Sequence, residues 1–357
     1  MGIPFVQMAL IGILPSALKI AYYRGRGAKI GKNVRIGLLT VLISNEIEIG
    51  DDCRIGMLTF IKVRRLRLGN RVRVGTLVAV DTGILSIGHD SVLMEQTVVG
   101  GMLTPRSSLS IGSRVKIFPY CFLNPTEPIT IEDDVGVGGD TYLFTHGSWQ
   151  SVLDGFPVGF GPINIRRGVW LPWRVFILPN VDIGEYATIA AGAVITRSIP
   201  ANSLAAGMPA KVISENGSYR KTLSDDDKWA KVISIVKEMR EFLEYEGAKT
   251  VIVYEALDAL SIRVRMPHNE STDVIIQRDY IRSASGSIVV VMHSISLRQI
   301  EELKADDVCW FDIEAGVANP GPATIADQIK NYFSRYGIRF RVVTDPEFVP
   351  LVGNEVR

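Results

Sequence analysis

The chain has 357 residues, with 39 Lys and Arg against 38 Asp and Glu and a formal net charge of +1. That length holds two domains and a large core, and a near-neutral chain of mixed sign gives no basis for a nucleic-acid partner. Cys53, Cys121 and Cys309 lie far apart and match neither a zinc nor a redox spacing, so free thiols in a reducing compartment and no metal are expected.

Met1 to Leu18 carries no charged side chain, and Lys19, Tyr22, Tyr23, Arg24 and Arg26 follow it. The stretch is short for a membrane span, is cut by Pro4 and Pro15, and lacks the features of a signal peptide. Residues 1–27 read as an amphipathic cap that either covers an open end of the fold or docks on a membrane surface.

From Ile30 a repeat begins. Ile30-Gly31 recurs at Ile49-Gly50, Leu68-Gly69, Ile87-Gly88, Ile111-Gly112, Ile131-Glu132, Ile165-Arg166 and Ile183-Gly184, in steps of 19, 19, 19, 24, 20, 34 and 18 residues. Within the longest unbroken run, Ile165 to Ile213, large aliphatics fall every six residues: Ile165, Leu171, Ile177, Ile183, Ile189, Ile195. A second row keeps the same spacing through Val169, Val175, Val181, Ala187, Ala193 and Ile199. A helix repeats at three and four and a hairpin strand at two. A period of six, three units to a turn, describes short strands and corners stacked into a parallel β-helix. The glycine after each aliphatic, with Asn33, Asp51 or Asn70 behind it, is expected at a corner with positive φ.

Two departures from the repeat stand out. The step of 24 places a loop at Gly100 to Ser110, and the step of 34 leaves an excursion at Thr145 to Pro162, "THGSWQSVLDGFPVGFGP". Loops that interrupt a rigid scaffold are where function concentrates. His146 opens the second, and a neutral imidazole suits proton removal from a hydroxyl or amine near pH 7. Trp149, Gln150, Asp154, Phe156 and Phe160 supply aromatic faces with a carboxylate and an amide, a combination that suits a sugar or serves to pin the loop.

From Tyr142 to Ile213 the sequence resembles the hexapeptide-repeat acyltransferases, through "FTHGSWQ", "VWLPWRVFILPNVDIG" and "AAGAVITRSIPANSLAAGMPAKVI". The resemblance implies a left-handed β-helix over 28–214, although crossover rules alone favour the right hand. It also implies a homotrimer that transfers an acetyl group directly from acetyl-CoA to a sugar or small acceptor in the cytoplasm. His146 is then the base, and Asn124 and Asp140 are candidates to orient its other ring nitrogen. Trp170, Trp173, Ala190, Ala191, Gly192, Arg197, Gly207, Pro209 and Lys211 are the positions it gives to CoA. Trp149, Asp154, Phe156 and Phe160 are candidates for the acceptor. Family members commonly read Trp-Ile-Gly where this chain has Trp170-Leu171-Pro172-Trp173. Proline removes an N–H on the donor side and the second tryptophan adds bulk.

O-acetylation of a sugar or polysaccharide precursor is the leading expectation. N-acetylation of an amino sugar nucleotide and a non-catalytic β-helix scaffold are the alternatives. A β-helical carbonic anhydrase needs three histidine ligands, and the coil holds only His89 and His146.

After Ile213 the six-residue register stops. Residues 215–247 read as a polar linker and a helix opened by Ser224 and three aspartates. Residues 248–357 alternate strand-like runs with two helical patterns, at Leu297 to Lys304 and Ala323 to Tyr336, and read as an α/β domain with a recognition or assembly role. Asp312, Glu314, His293 and the "NPGPAT" turn are weighed there as ligand contacts against a structural role.

Overall fold

The computed structural model describes residues 10–267, 271–283, 285–306, 308–321 and 324–351. Positions 1–9 of the expected cap, and Pro322-Ala323 of the "NPGPAT" turn, lie outside them. The chain divides into two compact units, Met1–Arg220 with Glu347–Arg357, and Lys221–Pro346.

In the first unit each coil lays one short strand on each of three walls. The first wall runs from Lys29–Ile30 to Val181–Ile183 and the second from Arg35–Ile36 to Ala210–Ser214. The third runs from Val41–Ile43 to Val194–Ile195. Neighbouring strands are parallel until Leu204–Gly207 folds back on Ala210–Ser214 and closes the second wall. The row read from sequence is the register itself: Ile30 pairs with Ile49, Ile49 with Leu68, Leu68 with Ile87 and Ile87 with Ile111. It continues from Ile111 through Ile131 and Ile165 to Ile183. These side chains fill the axis of the prism, and each fully buried aliphatic contributes about 1.5–3 kcal/mol.

The repeat's glycines do a different job from the one expected. The left-handed corner residues are Asn33, Asp52, Arg71 and Asp90, not the glycines two positions earlier. A Cβ on Gly50 would lie 2.7 Å from the carbonyl carbon of Gly69, and one on Gly88 would lie 2.5 Å from that of Gly112. Glycine is needed there for coil-to-coil approach rather than for positive φ.

Helix α1 (Ser16–Gly25) covers the open end of the coils. The Ile36 amide donates to Ser16 Oγ at 2.9 Å, and the Leu42 amide to the Tyr23 hydroxyl at 2.8 Å. These bonds satisfy strand-edge groups that would otherwise stay open. No helix among the described residues is long and apolar enough to cross a membrane. The segment from Glu347 lies along the first wall, where Ser110 Oγ donates to the Leu351 carbonyl at 2.9 Å. Cys53 and Cys121 are buried free thiols whose pKa burial pushes up to about 11, while Cys309 is half-buried.

The second unit is a seven-stranded sheet in sequential order, from Lys249–Ala256 to Arg341–Val342. Helices α2 (Asp225–Tyr245) and α4 (Thr324–Arg335) cover one face, and α3 (Leu297–Ala305) the other. Ser224 and Asp227 form a capping box at the start of α2. Asp312 ends the Cys309–Asp312 strand and accepts from the Ile295 and Ala315 amides at 2.8 and 2.7 Å, a structural role. His293 and Glu314 line a cavity of about 640 Å³ beside α2, and His293 Nδ1 pairs with Asp279 at 2.8 Å.

Candidate active site at the excursion from the coil

The excursion leaves the third wall after Tyr142–Phe144 and returns to the first at Ile163–Ile165. Thr145 anchors its foot: Oγ1 donates to the Asn124 carbonyl at 2.6 Å and accepts from the Glu127 amide at 3.0 Å. The Thr145 carbonyl also accepts from the Gly161 amide at 3.0 Å. Between these anchors His146–Gly147 pairs antiparallel with Gly159–Phe160, putting His146 opposite Phe160. Their rings stack, with centroids 5.7 Å apart and planes 15° apart. Imidazole Nδ1 is enclosed and meets no hydrogen-bonding group among the described residues.

The structure directs the two expected orienting residues elsewhere. Asp140 accepts from the Tyr142 hydroxyl at 2.8 Å and from Arg174 at 2.9 Å, which together hold its carboxyl below the usual range. Asn124, 5% exposed, accepts from Thr126 at 2.8 Å within its own coil. Both are therefore part of the scaffold under the excursion, and neither hydrogen-bonds His146.

Of the acceptor candidates only Phe160 reaches the histidine. Trp149 is 99% exposed and Asp154 sits in the exposed Val152–Asp154 turn, with Phe156 beyond it. Asn180, which the sequence did not single out, donates to the Phe160 carbonyl at 3.3 Å. Also missed was an aromatic column on the third wall below the excursion. Phe122 meets Phe144 at 5.3 Å, and Phe144 and Tyr142 stack on Phe176 at 5.2 and 6.0 Å. Its signal was present: outward positions of three successive third-wall strands are aromatic.

The residues expected on the donor side lie on the last coils, with Trp173 and Ala190 to Gly192 at the corner after the second wall and Arg197 at the corner after the third. Trp170 lies on the second wall in register with Gly136 below and Thr188 above. Trp173 sits at the next corner, its carbonyl accepting from the Gly192 amide at 3.0 Å. Gly192 in turn faces Met208, in the turn that joins Gly207 to Ala210. Ala190 donates to the Ala205 carbonyl at 2.8 Å, while Ala191, Pro209 and Lys211 are exposed beside it. Arg197 stands exposed on the bend after Val194–Ile195.

The two indoles, 40% and 49% exposed, explain the run Val135-Gly136-Val137-Gly138-Gly139. A Cβ on Gly136 would fall 2.5 Å from Trp170 Cε3, and one on Gly139 would fall 2.3 Å from Trp173 Cζ3. Pro172 has a second consequence. In the coils below, the amides of Met94, Phe118 and Gly138 donate to Ile117, Val137 and Leu171. Pro172 has no N–H to continue that column, and Trp170 with Thr188 is the single register pair between these two strands.

No family model matches the chain. A protein of Schizosaccharomyces pombe named as an acetyltransferase is 43% identical over 88 residues, 24% of this chain and 42% of its own length. The galactoside O-acetyltransferase of Escherichia coli K12 is 36% identical over 122 residues, 31% of this chain and 59% of its own. The chain thus spans about half the length of these relatives. A solved polySia-specific acetyltransferase covers 55% of this chain and 85% of its own at 19% identity, with a TM-score of 0.35. A hexapeptide-repeat acetyltransferase of Vibrio cholerae solved with acetyl-CoA covers 59% and 85% at 20% identity and a TM-score of 0.26. Superpositions this loose carry no argument about the site. The stacked coils and the curated relatives agree: over its β-helix this chain is similar to the hexapeptide-repeat acetyltransferases.

Proposed function

We propose that the protein is an acetyl-CoA-dependent O-acetyltransferase acting on a hydroxyl of a sugar or polysaccharide precursor. The observation that carries this reading is His146. It is held at the foot of the excursion by the Thr145 anchors and by the Phe160 ring.

The chemistry asks little of the protein beyond position and a base. The acceptor oxygen attacks the thioester carbonyl while His146 takes its proton; a C–O bond forms, the C–S bond breaks, and the proton leaves with the CoA thiolate. Because Nδ1 is enclosed, the nitrogen that takes the proton is Nε2. Backbone N–H groups near the attacked carbonyl would stabilise the developing oxyanion. CoA would lie along Trp170, Trp173 and Ala190 to Gly192 toward Gly207 and Pro209, with Arg197 and Lys211 beside its phosphates. Trp149, Asp154, Phe156 and Phe160 would surround the acceptor.

We propose a homotrimer working in the cytoplasm at the inner face of the membrane, with the donor groove between subunits. The half-buried aromatic column of the third wall supports a subunit contact there. Thermal unfolding with added CoA and acetyl-CoA tests the donor, since a ligand of the native state raises Tm. A rise is expected, and none at saturating ligand would overturn the reading. Release of free thiol with a panel of sugar acceptors then identifies the acceptor class.

A further inference from the structure

Two columns of side chains stand side by side on the first three coils. The second wall presents Arg35, Arg54 and Arg73, paired in register and exposed. Like charges directly opposite on neighbouring strands repel. On the first wall the same coils neutralise their charges: Lys29 and Arg67 bind Glu48 at 2.8 and 2.9 Å, and Arg65 binds Glu46 at 2.9 Å. Among the described residues none of the three second-wall arginines has an ion-pair partner. The column ends at Val92, opposite Arg73.

After each arginine the chain turns the corner toward the third wall through Leu38-Leu39, Met57-Leu58 and Thr76-Leu77. The corners stack, with Leu58 donating to the Leu38 carbonyl at 2.9 Å and Leu77 to the Met57 carbonyl at 3.0 Å. Leu39, Leu58 and Leu77 occupy the left-handed region, at φ 56°, 55° and 60°. That conformation suits Asn or Gly and disfavours leucine. The preceding corners of the same coils hold Asn33, Asp52 and Arg71. They gain little core in return: Leu39 is half-buried, Leu58 and Leu77 are 37% and 45% exposed, and Leu38 and Met57 beside them are 54% and 49% exposed. The N-terminal segment extends the ridge: the Leu39 amide donates to the Gly12 carbonyl at 2.6 Å, and Ile13 beside it is exposed. In the fourth coil the corner becomes Glu95-Gln96 and the ridge stops.

We infer that this face docks the protein on an anionic phospholipid bilayer, with the leucine ridge among the acyl chains and the arginines on the phosphates. Charge complementarity selects the occupant. A two-fold contact between copies would bring two unpaired arginine columns together, and a soluble polyanion would use the arginines while leaving the leucines in water. A bilayer satisfies both columns. The inference is independent of the transfer reaction.

The test is co-sedimentation of the full chain with phosphatidylcholine vesicles, with and without phosphatidylglycerol. Binding is expected only to the anionic vesicles and should weaken with salt. Arg35→Gln, Arg54→Gln and Arg73→Gln together should weaken it about a hundredfold. Leu58→Asn with Leu77→Asn should weaken it about tenfold with Tm unchanged or raised, because asparagine accepts the left-handed corner; this pair keeps the test clear of misfolding. Binding to neither vesicle, or equally to both, overturns the inference. So does a leucine variant that binds like the wild type while dextran sulfate displaces the protein, which marks a polyanion site. A change of oligomer mass in the variants with vesicle binding intact marks a contact between copies and overturns it too.

Discussion

His146 and Phe160 lie ring to ring across the neck of the excursion, 5.7 Å between centroids and 15° between planes. With no hydrogen-bonding group at Nδ1 among the described residues, that stacking is the contact that fixes the plane of the imidazole. Phe160→Ala should therefore lower kcat about ten- to a hundredfold with KM for acetyl-CoA unchanged, since a base displaced by about an ångström loses that much. Steady-state kinetics checks this; a rise in KM at constant kcat would assign Phe160 to binding instead.

Asp140 is committed to Tyr142 and Arg174. Asp140→Asn should leave kcat within a few-fold of wild type, because no transition-state interaction of His146 is removed. A loss of several hundredfold, measured by thiol release, would restore Asp140 as the orienting group.

Gly136 makes room for Trp170. Gly136→Ala should cost about 1–3 kcal/mol in the wild type, as overpacking does, and almost nothing in a Trp170→Ala background. Chemical denaturation of the four variants in a double-mutant cycle gives the coupling; additive effects would contradict the packing.

Arg106 Nε donates to Glu127 at 2.7 Å, pinning the Gly100 to Ser110 loop to the next coil. This hydrogen bond, ahead of the accompanying charge attraction, holds the Glu127 carboxyl below its ordinary value of 4.5. A carboxyl whose folded pKa is depressed contributes stability above its unfolded value and loses it as pH falls through the folded one. The Tm gap between wild type and Glu127→Gln should be present at neutral pH, narrow as pH drops below 4.5, and close in acid. A gap independent of pH would show that the charge is not what holds the loop.

The architecture was legible because a period of six leaves one reading for Ile30, Ile49 and Leu68, and those residues stack in register. The excursion was legible because a step of 34 has no room on the prism. What escaped was set by neighbours distant in sequence. Asp140 meets Arg174 thirty-four positions away, and Asn180 reaches back to Phe160. Gly136 is a glycine because of an indole in the following coil, and a linear reading of Gly-rich sequence cannot see that cause. The second unit's strands were readable from their β-branched runs. The short Val317–Asn319 strand, paired antiparallel with Cys309–Asp312, was too brief to carry a pattern.

The proposed transfer depends on His146 as its base. Turnover of His146→Ala, measured by thiol release beside its acetyl-CoA affinity, tests it most directly. A fall of about a hundred- to ten-thousandfold in kcat is expected with donor affinity intact; turnover within a few-fold of wild type would remove His146 from the reaction.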